Sequence, residues 1–516
     1  MSHQSLRPLV FWPTFFILLG AVIASYVDME AFLAAAGHLN DAILENFSWL
    51  FSLGSLYLLG MAVIVYFSPI GRIRIGGASA TPLLSPFRWF SITLCTTLAV
   101  GVLFWTTAEP LYHFMSPPSS SALEAGSSEA MIFSMSTMFL HWSFTPYAIY
   151  AVPALIFALS FYNLRLRFSI SSMLEPMFGP RIKRYSGLID AISLYALVAG
   201  MASSLGTGAL TLTGGVNQYL GGETTPLRLG VVVAIIVTTF VLSAASGLQK
   251  GIARLSSLNA LLLLALGIFS FVVGPTIFSL GLGVESFGVF LDNFMTKSLF
   301  TGTAGDDQWP QWWSIFYWAV WFAWAPVAAL FLGKISRGYT VREFLRINLL
   351  YPALFACVWI VIFSGTALYY QAHTDIGLYA VLNDQGVENV LYTLFRELPL
   401  STFLIPVLLF IAFISYVTAA DSQTDAIGNL CTRGLTADSD LNAGLTMKVV
   451  WGVIVGLVAW VMVSFIGIDG VKMLSNLGGL PALAIVLVAT GSLWVWLKHP
   501  ESLTHPSQST SHKRAS

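Results

Sequence analysis

Apolar stretches long enough to cross a bilayer recur along the whole chain, and no other feature constrains its fold as strongly. A membrane-spanning helix needs about 20 mostly apolar residues. Twelve segments qualify, running approximately over 9–27, 48–67, 89–114, 130–162, 187–219, 229–247, 255–281, 311–333, 346–371, 398–420, 446–467 and 471–497. The fourth is long enough to bend, and Pro146 and Pro153 supply a cause. Only 9% of the residues are charged, against about 25% in soluble proteins, too few to cover soluble domains. The expected fold class is an all-α polytopic membrane protein with twelve transmembrane helices, in contact with the lipid bilayer over most of its surface.

Lysine and arginine set the orientation. With the N-terminus in the cytoplasm, 20 of the 24 basic residues fall on the cytoplasmic side, and only Arg228, Lys297, Arg396 and Lys472 fall on the other. That bias predicts an even number of spans in the cell (inner) membrane and two cytoplasmic termini. The first segment lacks a clear cleavage pattern and follows a single arginine, Arg7, so it reads as a retained helix. Between spans, residues 116–129 form a polar outer loop, residues 284–297 read as an amphipathic helix on the outer surface, and the tail is short.

Several function classes fall away. A net charge of −1 offers no field for nucleic acid. Cys95, Cys357 and Cys431 stand too far apart for a disulfide scaffold or a paired-cysteine zinc site. No GxxxxGK[ST] loop, HExxH or GxSxG occurs, so neither an ATP-driven pump nor an enzyme is expected, and no resident cofactor is implied.

The densest chemical signal is aromatic. Six of the 16 tryptophans fall within residues 309–324. Trp309, Trp312 and Trp313 sit at the outer boundary, as an interfacial belt does. Trp318, Trp321 and Trp324 lie deeper and, spaced by three, share one broad helical face. Trp142, Tyr147 and Tyr150 form a second set in the fourth segment. Two such clusters at mid-bilayer can box an organic cation, each cation–π contact contributing about 0.5–2 kcal/mol. The same rings can equally pack between helices.

Residues 199–209 (AGMASSLGTGA) are nearly all small, which suits either close helix packing or a cavity wall. Gly101 is a candidate for a locally opened third helix. Ionisable groups within spans are few. Glu109, followed by Pro110, suits a helix-end or proton-binding role; His141 suits a hydrogen-bonded packing role; Asp421 ends the tenth segment among Thr418, Ser422 and Thr424.

FYWAVWFAWAPVAALFLGKISRGYTVREF (316–344) resembles the signature of the betaine/carnitine/choline transporter family. FWTTAEPLYHF (104–114), HWSFTPYAIYAV (141–152), SLGTGAL (204–210), SGLQKGIARLSSLN (246–259) and YVTAADS (416–422) are similar to that family in the same order. The resemblance implies a LeuT-like architecture of two N-terminal helices and a core of two inverted five-helix repeats, with the substrate at their interface. The corresponding parts are 1–88 with the first two helices, 89–281 as one repeat, 282–300 as the surface helix, 301–497 as the second repeat and 498–516 as the tail. The resemblance also implies a homotrimer working by alternating access.

By resemblance, Trp142, Tyr147, Tyr150 and Trp321 form the box, Trp318 and Trp324 line the pathway, and backbone at Ala99 and Gly101 faces the substrate carboxylate. Family members commonly have tryptophan at the positions of Tyr147 and Val320, and a GxGxG stretch where this chain reads Thr97-Leu98-Ala99-Val100-Gly101. Choline-taking members tend to carry an aspartate there, whereas no acid lies between Arg88 and Glu109. A substrate that brings its own negative charge is therefore expected: a trimethylammonium zwitterion such as glycine betaine or carnitine. Thr418 and Leu98 are the candidate sodium ligands, although Ala419 stands where sodium-coupled members carry a second hydroxyl. Proton symport, substrate exchange and choline transport are the alternatives, with a non-transporting receptor as a different class.

Overall fold

Among the described residues the apolar segments lie largely in helix, because backbone in hydrocarbon satisfies its N–H and C=O groups only internally. The computed structural model describes residues 6–97, 99–245, 249–437 and 444–504. Among these residues the only β pairings are isolated bridges, Leu6 with Thr432 and Arg74 with Thr340. Eleven helical stretches are long and apolar enough to span a bilayer, and the bent pair Pro86–Thr97 and Gly101–Met115, meeting at 53°, brings the number to twelve.

The first span is Pro8–Val27 and the second Met29–Phe67. The second has 39 residues. At about 1.5 Å per residue it reaches about 58 Å, roughly twice the hydrocarbon thickness. Hydropathy picks out only 48–67 of it, because Glu30, His38, Asp41 and Glu45 make the first half polar without breaking the helix. Asp28 caps that half, accepting from the Ala31 N–H at 3.0 Å.

The fourth span is Ser128–Trp142 followed by Phe144–Ala158, broken at Ser143. Pro146 explains the position: it offers no N–H to the Trp142 carbonyl and crowds it. The fifth span, Ser186–Leu220, and the sixth, Pro226–Ala245, are continuous. The seventh, Gln249–Val273, stops before Gly274 and Pro275 instead of running to 281. Two helices follow it, Thr276–Asp292 and Phe294–Ser298, where the sequence suggested one over 284–297.

The eighth span, Phe316–Lys334, and the ninth, Tyr351–His373, each begin on a π turn. Two short helices, Leu378–Asp384 and Val387–Arg396, precede the tenth span, Ser401–Leu430. The eleventh is Leu445–Ile466 and the twelfth Ile468–Lys498.

The eighth span sits at the centre, packed on the second half of the fourth, on the fifth and on the twelfth. The first span lies outside this core against the fifth, and the second against the twelfth and fourth. Glycines of the small-residue stretch permit the central contacts. A Cβ at Gly200 would lie 3.0 Å from the Ala323 carbonyl oxygen, and one at Gly208 would lie 2.7 Å from the Tyr416 ring. Any larger residue there would push the fifth span off the eighth and tenth.

Candidate functional site

The bend in the third span, the break in the fourth, and the faces of the fifth and eighth border a cavity. One wall is aromatic, made by Trp142, Tyr150, Trp321 and Trp324. The Trp142 and Trp321 rings meet edge to face, centroids 5.3 Å apart at 88°, and Tyr150 meets Trp321 at 5.4 Å and 74°. The lining also includes the hydroxyl residues Thr96, Thr97, Ser203, Ser204 and Thr207. Ala419 and Val471 reach it from the tenth and twelfth spans. No aspartate, glutamate, lysine or arginine is among the described lining residues.

A buried carboxylate stands directly behind this wall. Glu109 Oε1 accepts from His113 Nε2 at 3.0 Å and from His141 Nδ1 at 2.7 Å. Its Oε2 accepts from Trp142 Nε1 at 2.7 Å and from the Tyr317 hydroxyl. Glu109, His113 and His141 are all fully buried. Four donors for one carboxylate meet the condition under which a charge can be held inside a protein. With Nδ1 donating, His141 Nε2 is left to accept from Ser314 Oγ at 2.9 Å, and the His141 carbonyl accepts from Trp321 Nε1 at 3.1 Å. Both box tryptophans are therefore anchored by their N–H groups to one cluster, and their π faces are left for the cavity.

These three groups could also ligate a metal, their ligand atoms lying within 4.8 Å of one another. The two imidazole–carboxylate contacts already have hydrogen-bond geometry, and Glu109 has no lone pair to spare from its four donors. The arrangement is that of a structural hub.

The structure brings some of the sequence-derived residues together and separates others. Trp142, Tyr150, Trp321, Trp324 and Gly101 share the cavity. Gly101 touches the indole: a Cβ there would lie 2.9 Å from Trp142 Cη2. Tyr147 is fully buried away from the cavity wall. Trp318 is also buried off the wall, its ring 6.0 Å from that of His141. Ala99 is described in its backbone only, and Leu98 lies outside the described residues. Thr418 is buried in the tenth span and donates to the Ile414 and Ser415 carbonyls at 2.9 and 3.0 Å.

Sequence reading missed Trp105, Phe316 and Tyr317 as lining residues, together with the hydroxyls at 203, 204 and 207. The i, i+1, i+4 spacing of those hydroxyls within a glycine-rich stretch was the available signal, since it puts them on one helical face. That stretch serves both purposes open to it, its glycines packing and its hydroxyls facing the cavity.

Comparison with known proteins follows the same lines. A sequence model of the betaine/carnitine/choline family transporters (BCCT) matches residues 9–502. An ectoine/hydroxyectoine transporter of Virgibacillus pantothenticus is 30% identical over 492 residues, covering 95% of this chain and 97% of that protein. The glycine betaine transporter OpuD of Bacillus subtilis (strain 168) is 31% identical over 491 residues, 94% of this chain and 93% of its own length. Among solved structures, a sodium-coupled sialic acid symporter in a substrate-bound outward-open state aligns over 90% of this chain and 82% of its own, with 14% identity and a TM-score of 0.41.

Proposed function

From the premise that this chain belongs to the betaine/carnitine/choline transporter family, we propose that it imports a zwitterionic osmolyte by ion-coupled alternating access. Its class is that of membrane transporters for quaternary ammonium osmolytes, not enzymes. The substrate in this reading is a trimethylammonium zwitterion, glycine betaine or carnitine. Trp142, Tyr150 and Trp321 take the ammonium, and the Ser204 hydroxyl with backbone near Gly101 takes the carboxylate, since the Ser203 and Thr207 hydroxyls already donate to the Val471 and Ser203 carbonyls.

One observation carries the proposal. The cavity joins an aromatic wall to hydroxyl residues and has no charged residue among its described lining. The carboxylate behind the aromatic wall, Glu109, is already spent on four donors. A bare cation would enter without a counter-charge, at a large desolvation cost. A zwitterion carries both charges with it, and cation–π contact suits its onium end.

A second reading is favoured by the same hydroxyl residues. A cyclic amidinium zwitterion of the ectoine type has N–H groups that seek acceptors, which a trimethylammonium lacks. Thr96, Thr97 and the three hydroxyls of the fifth span supply them. The relative named as an ectoine/hydroxyectoine transporter supports keeping this substrate beside betaine.

Sodium is the coupling ion in this proposal. The Thr418 hydroxyl hydrogen is committed to its own helix, which turns the oxygen lone pairs outward for a hard cation, with Leu98 as the second ligand. Both termini face the cytoplasm of a cell-membrane protein, and the working unit is a homotrimer.

The test is uptake of labelled glycine betaine, carnitine, choline and ectoine into transporter-deficient cells, with a sodium gradient and with a proton gradient alone. Saturable, sodium-driven uptake of a zwitterion in preference to choline is expected. The substitution Trp321→Leu should abolish that uptake while leaving folded protein in the membrane. Unchanged uptake by this variant would remove the box assignment, and equal uptake in the proton gradient alone would replace sodium by protons.

A further inference from the structure

Away from the cavity, at the end of the bundle that carries both described termini, a second pocket opens to the surface. Arg7, Arg167, Lys183, Arg184 and Arg433 all line it, five of the chain's 24 basic residues gathered from four separate segments. Two of them are neutralised in place. Arg7 pairs with the buried Asp190, and Lys183 pairs with Glu175 at 2.9 Å. Arg167, Arg184 and Arg433 are exposed and make no side-chain hydrogen bond or ion pair among the described residues. Asp190 cannot serve them, since it also accepts from the Ser169 hydroxyl at 2.6 Å and the Ser171 N–H at 2.9 Å. Three guanidinium groups thus face one space with their charge unmatched.

We infer that this pocket binds the phosphate headgroup of an anionic phospholipid. Guanidinium forks suit phosphate oxygens because they donate in pairs in a fixed plane. The position of the pocket at span ends points to lipid rather than to a soluble phosphate compound. Arg7 precedes the first span by one residue, Ser186 begins the fifth, and Cys431 follows the last residue of the tenth. Three span ends meeting here place the pocket at the level where headgroups lie.

Apolar surface runs alongside the arginines. Leu9 lines the pocket and is 74% exposed, and Tyr185 and Leu188, chain neighbours of the lining residues Arg184 and Gly187, are 54% and 62% exposed. A soluble phosphate compound would satisfy the arginines and leave this surface in water; an acylated one covers both. Basic pockets between helix ends on the cytoplasmic side are suited to anionic headgroups for these reasons.

The site has a mechanical consequence. Its floor is Arg7, which also donates from Nη1 to the Leu430 carbonyl at 2.9 Å, while its backbone N–H donates to the Cys431 carbonyl at 2.8 Å. A lipid phosphate bridging Arg184 and Arg433 therefore clamps the N-terminal segment, the start of the fifth span and the end of the tenth. The fifth and tenth spans also line the cavity, through Ser203, Thr207 and Ala419.

The test uses the full-length protein in neutral detergent. Thermal melting and native mass spectrometry are followed during titration with phosphatidylglycerol, phosphatidylcholine or inorganic phosphate. Phosphatidylglycerol should bind and raise the melting temperature, and the other two should not. The triple variant Arg167→Gln, Arg184→Gln and Arg433→Gln should bind phosphatidylglycerol roughly a hundredfold more weakly. A control triple, Arg88→Gln, Arg181→Gln and Lys498→Gln, removes the same charge elsewhere and should bind as wild type. The single variant Arg184→Gln, with about a tenfold loss expected, decides the matter if the triple does not fold. Equal binding by the pocket variants and the wild type would overturn the proposal. A full melting shift with inorganic phosphate alone would overturn its assignment to lipid.

Discussion

The substitution Glu109→Gln probes the cluster behind the aromatic wall with almost no change of shape. The carboxylate accepts four hydrogen bonds, two on each oxygen. An amide accepts at one end and donates at the other. The indole N–H of Trp142 can only donate, so the amide oxygen must face Trp142 and Tyr317, and the amide NH₂ must face the two histidines. His141 can adapt by shifting its proton to Nε2 and donating to Ser314 Oγ. His113 cannot adapt without loss, because its Nδ1 is buried without a partner among the described residues and would then carry the proton.

Orphaning that one N–H costs about 1–3 kcal/mol, and each charge-assisted bond made neutral loses about 1 kcal/mol. The desolvation cost of a buried carboxylate disappears and offsets part of this. A net loss of about 2 kcal/mol in stability is expected. Trp142, held less firmly, should raise the KM for substrate about tenfold, equivalent to about 1.4 kcal/mol. The assays are initial rates of uptake and melting of the purified protein. A wild-type KM and melting temperature for Glu109→Gln would refute the hub as the device that positions the aromatic wall.

Two further substitutions test neighbouring parts of the argument. Gly101→Ala places a methyl 2.9 Å from a Trp142 ring anchored on Glu109, so the ring must turn; uptake should fall at least as far as with Glu109→Gln, at an overpacking cost of about 1–3 kcal/mol. Lys297, in the short helix outside the spans, donates to the Thr137 hydroxyl at 2.8 Å, and burial pushes its ammonium down to about 7, against about 10.4 in an unfolded chain. Between those values the unfolded chain binds the extra proton, so this residue makes stability rise with pH from about 7 upward. The melting difference between wild type and Lys297→Gln should accordingly grow in favour of wild type from about pH 7 to about 9; parallel pH profiles would refute the buried-lysine account.

Much of the fold was legible because hydropathy and helix breaking are local properties. A run such as Ser401–Leu430 is apolar by its own composition, and Pro146 breaks the fourth span by its own geometry. Hydropathy alone fails where helix continues through polar residues, as in the first half of Met29–Phe67, and overruns the glycine–proline pair that ends the helix after Val273.

The sequence by itself determined the membrane class, the approximate spans and the aromatic composition of the central helices. Tertiary structure alone decided which of those groups share a cavity. Tyr147 and Tyr150 stand three residues apart on one helix, yet Tyr150 lines the cavity and Tyr147 does not. Glu109 meets His141 across 32 residues and Tyr317 across 208. The physical reason is range: the propensities that place a helix act between sequence neighbours, whereas these hydrogen bonds form only once the third, fourth and eighth spans pack together.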